Sequence, residues 1–316
     1  MTFSGSMAAM SKDRGPALLV MFGVVLVWSG AFAALKFGLS TLSPGAAVLL
    51  RFLPVWLVCG VYLVHRRREF AKLLKGHPWK IAGAGLLGVA GYHLFLTFGL
   101  AGVTSAASSL IVACGSLFTY LFSVLARTER PRLVRFAGIA VALGGLFVVL
   151  RYGSGAGFKL EYLWYALVVF GAPLAWSGYT VVSKKIMNAG CDIRLLTAAT
   201  FFLGGLPAFF FIDRTFFEAF ASPGTLLLIG GYLGLVASLA GYFAWNWALS
   251  RSDPSQVAAF IVLIPVLAHL WGYVFLGELL TWLAAVGGVL VLAGVLIVNV
   301  AGRNKLSEPG LTGRSP

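Results

Sequence analysis

Two histidines are the residues of this chain best placed to handle a proton or bind an anion in an apolar setting. His93 and His269 each lie near the middle of a long apolar segment. An ionisable residue inside such a segment is costly to bury and is by default a functional candidate. Imidazole can relay a proton near neutral pH or hydrogen-bond a carboxylate. Each histidine could equally be a structural residue satisfied by a neighbouring hydroxyl or carbonyl group, and both interpretations stay open.

Tryptophan and tyrosine form the second set of candidate contacts. This set consists of Trp28, Tyr92, Trp176, Tyr179, Tyr242 and Trp245. Ser238, Tyr242 and Trp245 are spaced i, i+4, i+7 and therefore share one helix face. An apolar-walled pocket with a few polar groups suits an amphipathic metabolite, and aromatic pairs contribute ~0.5–1.5 kcal/mol each. Because these residue types are also common at membrane interfaces, an interfacial position is the alternative.

Helices in a membrane must position these residues. The chain has 316 residues, of which 59% are hydrophobic and 11% charged, with a mean hydropathy of +0.92. Soluble domains carry about 25% charged residues, and a helix needs about 20 apolar residues to cross a bilayer. The composition therefore predicts an all-α integral membrane protein with ten transmembrane helices, at residues 17–39, 44–64, 81–101, 104–126, 133–151, 161–183, 194–212, 225–249, 254–277 and 280–301.

The chain is internally duplicated. The string W-S-G-x5-K occurs at residues 28–36 and again at 176–184, and Gly91-Tyr92 matches Gly241-Tyr242. Each half holds five predicted spans, and an odd number turns the second half upside down relative to the first. We predict one five-helix repeat at 17–151, an inverted second repeat at 161–301, and a disordered cytoplasmic tail at 302–316. Inverted repeats place a binding site near the bilayer midplane, between the halves.

The same alignment pairs further residues in the two halves. It matches Glu129 with Glu278, Gly138 with Gly287 and Gly145 with Gly294. Small residues of this kind let membrane helices approach closely. The glycines of spans five and ten therefore predict helix faces that can pack closely.

The net charge of +14 is a signal of topology. With a cytoplasmic N-terminus, nearly all lysines and arginines fall on the cytoplasmic side, and only Arg151, Lys159 and Arg214 fall outside. This asymmetry is the positive-inside pattern, and it predicts two cytoplasmic termini, contact with anionic membrane lipid and no binding of nucleic acid. Lys36 and Arg51 remain inside predicted spans. Each can extend outward along its helix as an anchor or bind substrate.

Enzyme chemistry is not indicated. The ten acidic residues all map to span ends, loops or tails, so no paired acids stand within the spans, and the nucleophile–base sets expected of an enzyme are missing too. Gly83, Gly85 and Gly88 fit G-x-G-x-x-G, but they lack the preceding strand that a dinucleotide site needs and more simply form a packing face. The three cysteines have no metal-binding spacing. We predict no metal and no cofactor.

These features together resemble the EamA-type branch of the drug/metabolite transporter superfamily. The resemblance rests on W-S-G near the start of each half and on Tyr273-Val-Phe-Leu-Gly-Glu278 before the last span, and it covers about residues 17–301. The first half departs from it, because Leu125-Ala-Arg-Thr-Glu129 lacks the glycine. The resemblance implies a ten-helix exporter of metabolites, often amino acids, in the bacterial inner membrane. The spans rich in Tyr and Trp resemble those of exporters of aromatic amino acids.

The sequence therefore predicts a small-molecule exporter that works by alternating access, as a monomer or homodimer. Aromatic or large neutral amino acids are favoured, with facilitated diffusion or exchange because no central carboxylate offers ion coupling. Export of other metabolites or drugs, such as nucleobases or sugars, is the alternative, and an intramembrane enzyme is a weaker one. The predicted substrate-binding residues are Trp28, Tyr92, His93, Trp176, Tyr179, Tyr242, Trp245 and His269.

Overall fold

A computed structural model describes residues 14–125, 131–152, 160–251, 261, 263–278 and 281–300. Within these ranges every regular element is a helix and there is no strand, which confirms the all-α prediction for this part of the chain. Glu129, residues 153–159 of the predicted linker, and the predicted tail at 302–316 lie outside the described residues.

The helices follow nine of the predicted spans to within a few residues. Residues 254–260 and 262 of the ninth predicted span lie outside the described residues. Among the described residues, seven helices are long and apolar enough to cross a membrane, and shorter apolar stretches lie at Leu133–Val149, Leu263–Leu276 and Trp282–Val298. The helices are α1 (Arg14–Gly38), α2 (Pro44–His65), α3 (Arg67–Gly76), α4 (Pro78–Leu100), α5 (Ser105–Ala113 continued by Gly115–Leu125), α6 (Leu133–Tyr152), α7 (Leu160–Asn188), α8 (Ile193–Phe211), α9 (Pro223–Ser250), α10 (Leu263–Leu276) and α11 (Trp282–Val300). We call residues 14–152 the first half and 160–300 the second half.

Short polar side chains begin several of these helices. Ser43 accepts a hydrogen bond from the Ala46 amide at 3.1 Å, and Pro44 follows it in the first helical turn of α2. Thr104 caps α5 in the same way. Such caps satisfy amides that have no partner within the helix, and each contributes about 0.5–2 kcal/mol. Ser43 also donates to Asp213, outside the spans, and this hydrogen bond lowers the pKa of that carboxyl.

Besides the short helix Arg214–Glu218, helix α3 is an element that hydropathy did not predict. It runs between α2 and α4, and none of its residues is buried. Phe70, Leu73 and Leu74 lie against the core on one side, whereas Arg67 and Arg68 are exposed. A short amphipathic helix with a basic face is suited to lie in the plane of a membrane interface.

Four glycines bring α6 and α11 into backbone contact. A Cβ added at Gly145 would lie 2.6 Å from the Gly287 carbonyl oxygen, and one added at Gly294 would lie 2.4 Å from the Gly138 carbonyl oxygen. The contacts are crossed with respect to the alignment, in which Gly138 matches Gly287 and Gly145 matches Gly294. Exchanging the two halves therefore converts each contact into the other, as a two-fold axis between α6 and α11 requires.

The widened, π-type helical turns also occur at matching places. They span Leu86–Gly91 in α4 and Leu226–Ala240 in α9, and each ends where a Gly-Tyr pair stands. Such widened turns are uncommon and often adjoin functional sites. They place Tyr92 and Tyr242 directly after an irregular segment.

Each lysine of the duplicated string binds the end of the third span in its own half. Lys36 Nζ donates to the carbonyl oxygens of Leu100 at 2.8 Å and Val103 at 2.7 Å, and Lys184 Nζ donates to that of Leu249 at 3.1 Å. The last carbonyl groups of a helix lack partners within it. A cation there is also stabilised by the partial negative charge at the C-terminal end of the helix. Both lysines therefore have a structural role that explains their place in the string.

Glu278 ties the two halves together at the end of the bundle where α1 ends. It follows α10, in the second half, and accepts hydrogen bonds from Ser105 in the first half, from the amide at 2.9 Å and from the hydroxyl at 2.6 Å. A carboxylate at the start of α5 satisfies amides that have no helical partner and is favoured by the helix dipole.

We expect Glu278→Ala to destabilise the protein by about 1 kcal/mol, since it removes this cap. The change is measured as a lower thermal unfolding midpoint of the purified protein in detergent. Glu161→Ala is the matched control, because Glu161 is an exposed carboxylate in the first turn of α7 at the same end of the bundle. Equal shifts for the two variants would contradict the capping role.

Candidate functional site

The duplicated W-S-G strings lie where the two halves meet. Ser29 of α1 accepts a hydrogen bond from the Trp271 indole of α10 at 3.1 Å, and Ser177 of α7 lies 2.8 Å from the Gly115 carbonyl oxygen of α5. Each serine thus contacts the fourth predicted span of the opposite half. A Cβ at Gly30 would meet the Tyr232 hydroxyl at 2.7 Å, and one at Gly178 would meet Leu87 at 2.9 Å. Each glycine is therefore packed against the third predicted span of the opposite half.

The tryptophans of the two strings contact each other and begin an aromatic cluster. The Trp28 and Trp176 rings are 5.6 Å apart in an edge-to-face arrangement. Tyr242 lies 5.1 Å from Trp176, and Trp245 lies 5.7 Å from Trp28. These separations fall within the favourable range for aromatic pairs. The Trp28 indole also donates to the Ala237 carbonyl oxygen at 2.8 Å, which fixes the orientation of its ring.

His93 and Tyr242 connect α4 to α9 across the halves. The Tyr242 hydroxyl donates to the Gly88 carbonyl oxygen at 2.6 Å and lies 3.1 Å from His93 Nε2. A tyrosine hydroxyl has one proton, and Gly88 receives it, so Nε2 must be the donor to the Tyr242 oxygen. In the neutral ring Nδ1 is then an acceptor, and this buried atom has no hydrogen-bond partner among the described residues.

A cavity of about 140 Å³ lies against this cluster. Its wall includes α1, α2 and α4–α6 of the first half and α7 and α9–α11 of the second half. The polar and ionisable lining residues are Arg51, Tyr92, His93, Ser116, Thr119, Tyr120, Arg135, Trp176, Thr180, Tyr242 and Trp245, together with Trp28. A cavity of about 150 Å³ is large enough to hold a benzene ring, so the space suits one aromatic side chain.

Six of the eight predicted substrate-binding residues line this cavity. They are Trp28, Tyr92, His93, Trp176, Tyr242 and Trp245. The structure thus brings together residues from four different helices. These residues were predicted from their types and from the internal repeat. Their role in binding substrate remains a prediction.

The other two predicted residues lie elsewhere. Tyr179 is fully buried behind the cavity wall, where its hydroxyl accepts a hydrogen bond from the Asn246 amide at 2.9 Å and its ring lies 5.4 Å from Trp176. His269, on α10, does not line the cavity, and its Nδ1 has no partner among the described residues. Tyr179 can therefore support the site only through Trp176 and Tyr242.

Arg51 is the lining residue whose importance the sequence left undecided. Its side chain is 5% exposed and its Nε donates to the Ser238 hydroxyl at 2.8 Å. It does not extend to the membrane edge but lies inside the bundle. Arg135, which the sequence suggested only as a topology charge, also lines the cavity and lies over the Tyr120 ring at 4.3 Å.

The described residues offer no group of three or more histidines, cysteines or carboxylates that could hold a metal. No aspartate or glutamate of the described ranges lines the cavity. The site as described is aromatic and cationic, and suited to bind a molecule that has an apolar ring and a negative charge.

Comparison with known proteins identifies relatives over nearly the whole chain. The sequence profile of the EamA-like transporter family matches residues 15–151 and again residues 163–300. The chain is 29% identical to a probable terminal-alkyne amino-acid exporter of Streptantibioticus cattleyicolor, over 90% of this chain and 95% of that protein. It is 28% identical to a probable amino-acid metabolite efflux pump of Escherichia coli, over 92% of this chain and 95% of the relative.

Two further similarities agree with these. An uncharacterized transporter of Archaeoglobus fulgidus is 29% identical over 89% of this chain and 97% of its own length. A crystal structure of a protein 22% identical in sequence superposes with a TM-score of 0.62, covering 92% of this chain and 98% of the other. That likeness concerns the fold alone.

Proposed function

The chain belongs to the EamA-like transporter family, and from that premise we propose that it exports amino acids, preferably aromatic or large neutral ones, by alternating access. Membership makes it an integral membrane transporter of a small molecule and not an enzyme. The substrate, the direction and the mechanism are the proposed parts.

The aromatic cavity between the halves is the observation that carries this proposal. Trp28 and Trp176 occupy equivalent positions of the duplicated string, and their rings meet at one wall of the space. A carrier that alternates between two faces needs its site where the moving halves join. Aromatic walls there favour a substrate with an apolar ring over a sugar, whose hydroxyl groups would need many polar partners.

The proposed architecture is ten membrane helices in two inverted five-helix repeats. It is supported by the two separate matches of the family profile. The crossed glycine contacts between α6 and α11 support it as well. We propose residues 17–151 and 161–301 as the repeats, in a monomer or homodimer.

We propose that both termini are cytoplasmic and that the membrane is the bacterial inner membrane. The support is the asymmetry of the basic residues. In this orientation Glu278 and Lys36 lie at the outer side.

Counterflow in proteoliposomes tests the function. Vesicles preloaded with one unlabelled amino acid are diluted into a labelled one, and uptake is followed with protein-free vesicles as the control. We expect saturable stimulation by phenylalanine, tryptophan or large neutral amino acids. In the same vesicles an imposed pH gradient alone should not drive accumulation, since no described carboxylate lines the cavity to carry a proton.

Each alternative result has a defined meaning. Stimulation only by nucleobases, sugars or drugs would contradict the amino acid assignment and favour another exported metabolite. Accumulation that a protonophore abolishes would contradict the uncoupled mechanism and direct attention to His93. No stimulation by any of these compounds, with folded protein, would overturn the proposal.

A further inference from the structure

A buried arginine in the cavity wall makes few hydrogen bonds with the part of the chain that the structure describes. A guanidinium has five N–H donors, and among the described residues Arg51 makes one hydrogen bond, from Nε to Ser238. Ser238 in turn donates its own proton to the Leu233 carbonyl oxygen at 2.8 Å, so it accepts from Arg51. The described aspartates and glutamates form no ion pair with Arg51.

The packing of α2 on α9 holds this arginine inside the bundle. A Cβ at Gly234 would lie 2.3 Å from the Arg51 carbonyl oxygen, so the absence of a side chain there lets the two backbones meet. Ser238 lies about one turn further along α9 and fixes the guanidinium through Nε. The remaining N–H groups belong to the two Nη atoms, which are the ones that bind a carboxylate as a planar fork.

The charged residues of the described cavity lining have one sign. Arg51 and Arg135 line the cavity, and none of the described carboxylates does. An arginine inside a membrane helix is costly to bury, and a buried charge is normally compensated by a partner of opposite sign. A ligand that brings a carboxylate supplies this partner, whereas an ammonium group finds no anion among the described lining residues.

We propose that Arg51 binds the carboxylate of the transported molecule, and that the site selects aromatic monocarboxylates whether or not they carry an amino group. The inference rests on the proposed function and names the charged group that this function must recognise. The aromatic cluster holds the ring while Arg51 holds the acid, so an aromatic amine without a carboxylate is excluded.

Three compounds with the same ring test the charge preference. L-Phenylalanine has both charged groups, 3-phenylpropanoate has only the carboxylate, and phenethylamine has only the ammonium. We expect 3-phenylpropanoate to compete with labelled phenylalanine in counterflow and phenethylamine to compete at least tenfold less well. We expect Arg51→Gln to raise the KM for phenylalanine about tenfold or more, as the loss of a charge-assisted pair implies, and to abolish the difference between the two analogues.

Two variants separate this role from general stability. Arg51→Lys keeps the charge but not the fork and should restore part of the preference. Lys36→Gln removes another partly buried cation, one that binds helix carbonyls outside the cavity, and should leave the preference of the analogues intact. Equal competition by the two analogues in the wild-type protein, or an unchanged preference in Arg51→Gln, would overturn the proposal.

A binding measurement keeps the test independent of transport. The thermal unfolding midpoint of detergent-purified protein should rise with 3-phenylpropanoate and not with phenethylamine, and the rise should vanish in Arg51→Gln. If counterflow fails but this pattern holds, the proposed function is wrong and the anion site stands. If counterflow succeeds and the pattern is absent, the function stands and the role of Arg51 is wrong.

Discussion

Tyr242→Ala is expected to lower amino acid exchange about tenfold or more while the protein still reaches the membrane. The substitution removes a ring that lies 5.1 Å from Trp176 and 4.9 Å from Phe201, and it opens the cavity wall. Each aromatic pair contributes ~0.5–1.5 kcal/mol, and 1.4 kcal/mol is a factor of ten in affinity. The measurement is initial counterflow rate per amount of folded protein in the vesicles.

Tyr242→Phe separates the ring from its hydroxyl. It keeps the wall but removes the hydrogen bonds of the hydroxyl with the Gly88 carbonyl oxygen and His93 Nε2. A buried donor left without a partner, as His93 Nε2 would be, costs ~1–3 kcal/mol. Tyr232→Phe is the matched control, because Tyr232 is also on α9 and its hydroxyl donates to the Val27 carbonyl oxygen at 2.7 Å outside the cavity. Normal exchange in both Tyr242→Ala and Trp245→Ala would remove these residues from the site.

The positions of the helices could be read from the sequence because a membrane leaves little choice. A backbone group without a partner costs several kcal/mol in lipid, so each apolar run must become a helix. A search for apolar segments does not detect α3, because a helix that is half polar has an ordinary mean hydropathy. Its signal is the spacing of Phe70, Leu73 and Leu74, which a search for amphipathic faces would detect.

The residue types of the candidate site could be predicted from the sequence. Which face of each helix lies toward the cavity could not. Trp176 and Tyr179 are three residues apart on α7 and share a face to a first approximation, yet Trp176 lines the cavity and Tyr179 lies behind it. The difference arises because the Tyr179 hydroxyl accepts a hydrogen bond from the buried Asn246 amide, which also donates to Thr197. Which helix supplies such a partner depends on tertiary packing, and no local pattern encodes it.

The role of Arg51 illustrates the same boundary. At its depth in α2 the side chain could extend either to the membrane edge or into the bundle. The contacts with the neighbouring helix determine which of the two occurs. The residues that decide are Ser238 and Gly234 on α9. Ser238 is 187 residues away from Arg51 in the sequence. Sequence reasoning could therefore place the charge in the membrane but could not point it into the cavity.

Gly145→Ala is expected to destabilise the protein by about 1–3 kcal/mol, the usual cost of overpacking. The new methyl group would meet the Gly287 carbonyl oxygen at 2.6 Å and the Val291 amide at 2.7 Å. Both are backbone atoms, so α11 as a whole would have to move away from α6. The expected result is a lower unfolding midpoint in detergent and less folded protein in the membrane.

Gly144→Ala provides the control from the next position of the same helix. A Cβ at Gly144 meets nothing within 4 Å, and alanine favours the helix by up to about 1 kcal/mol, so this variant should be neutral or slightly stabilising. Equal loss in both variants would mean that α6 tolerates no alanine for reasons unrelated to α11. Gly294→Ala, the equivalent change in the second half, should match Gly145→Ala, because its Cβ would lie 2.4 Å from the Gly138 carbonyl oxygen. An equal cost from the two sides is what an inverted pair of helices requires, and a cost on one side only would argue against the two-fold relation.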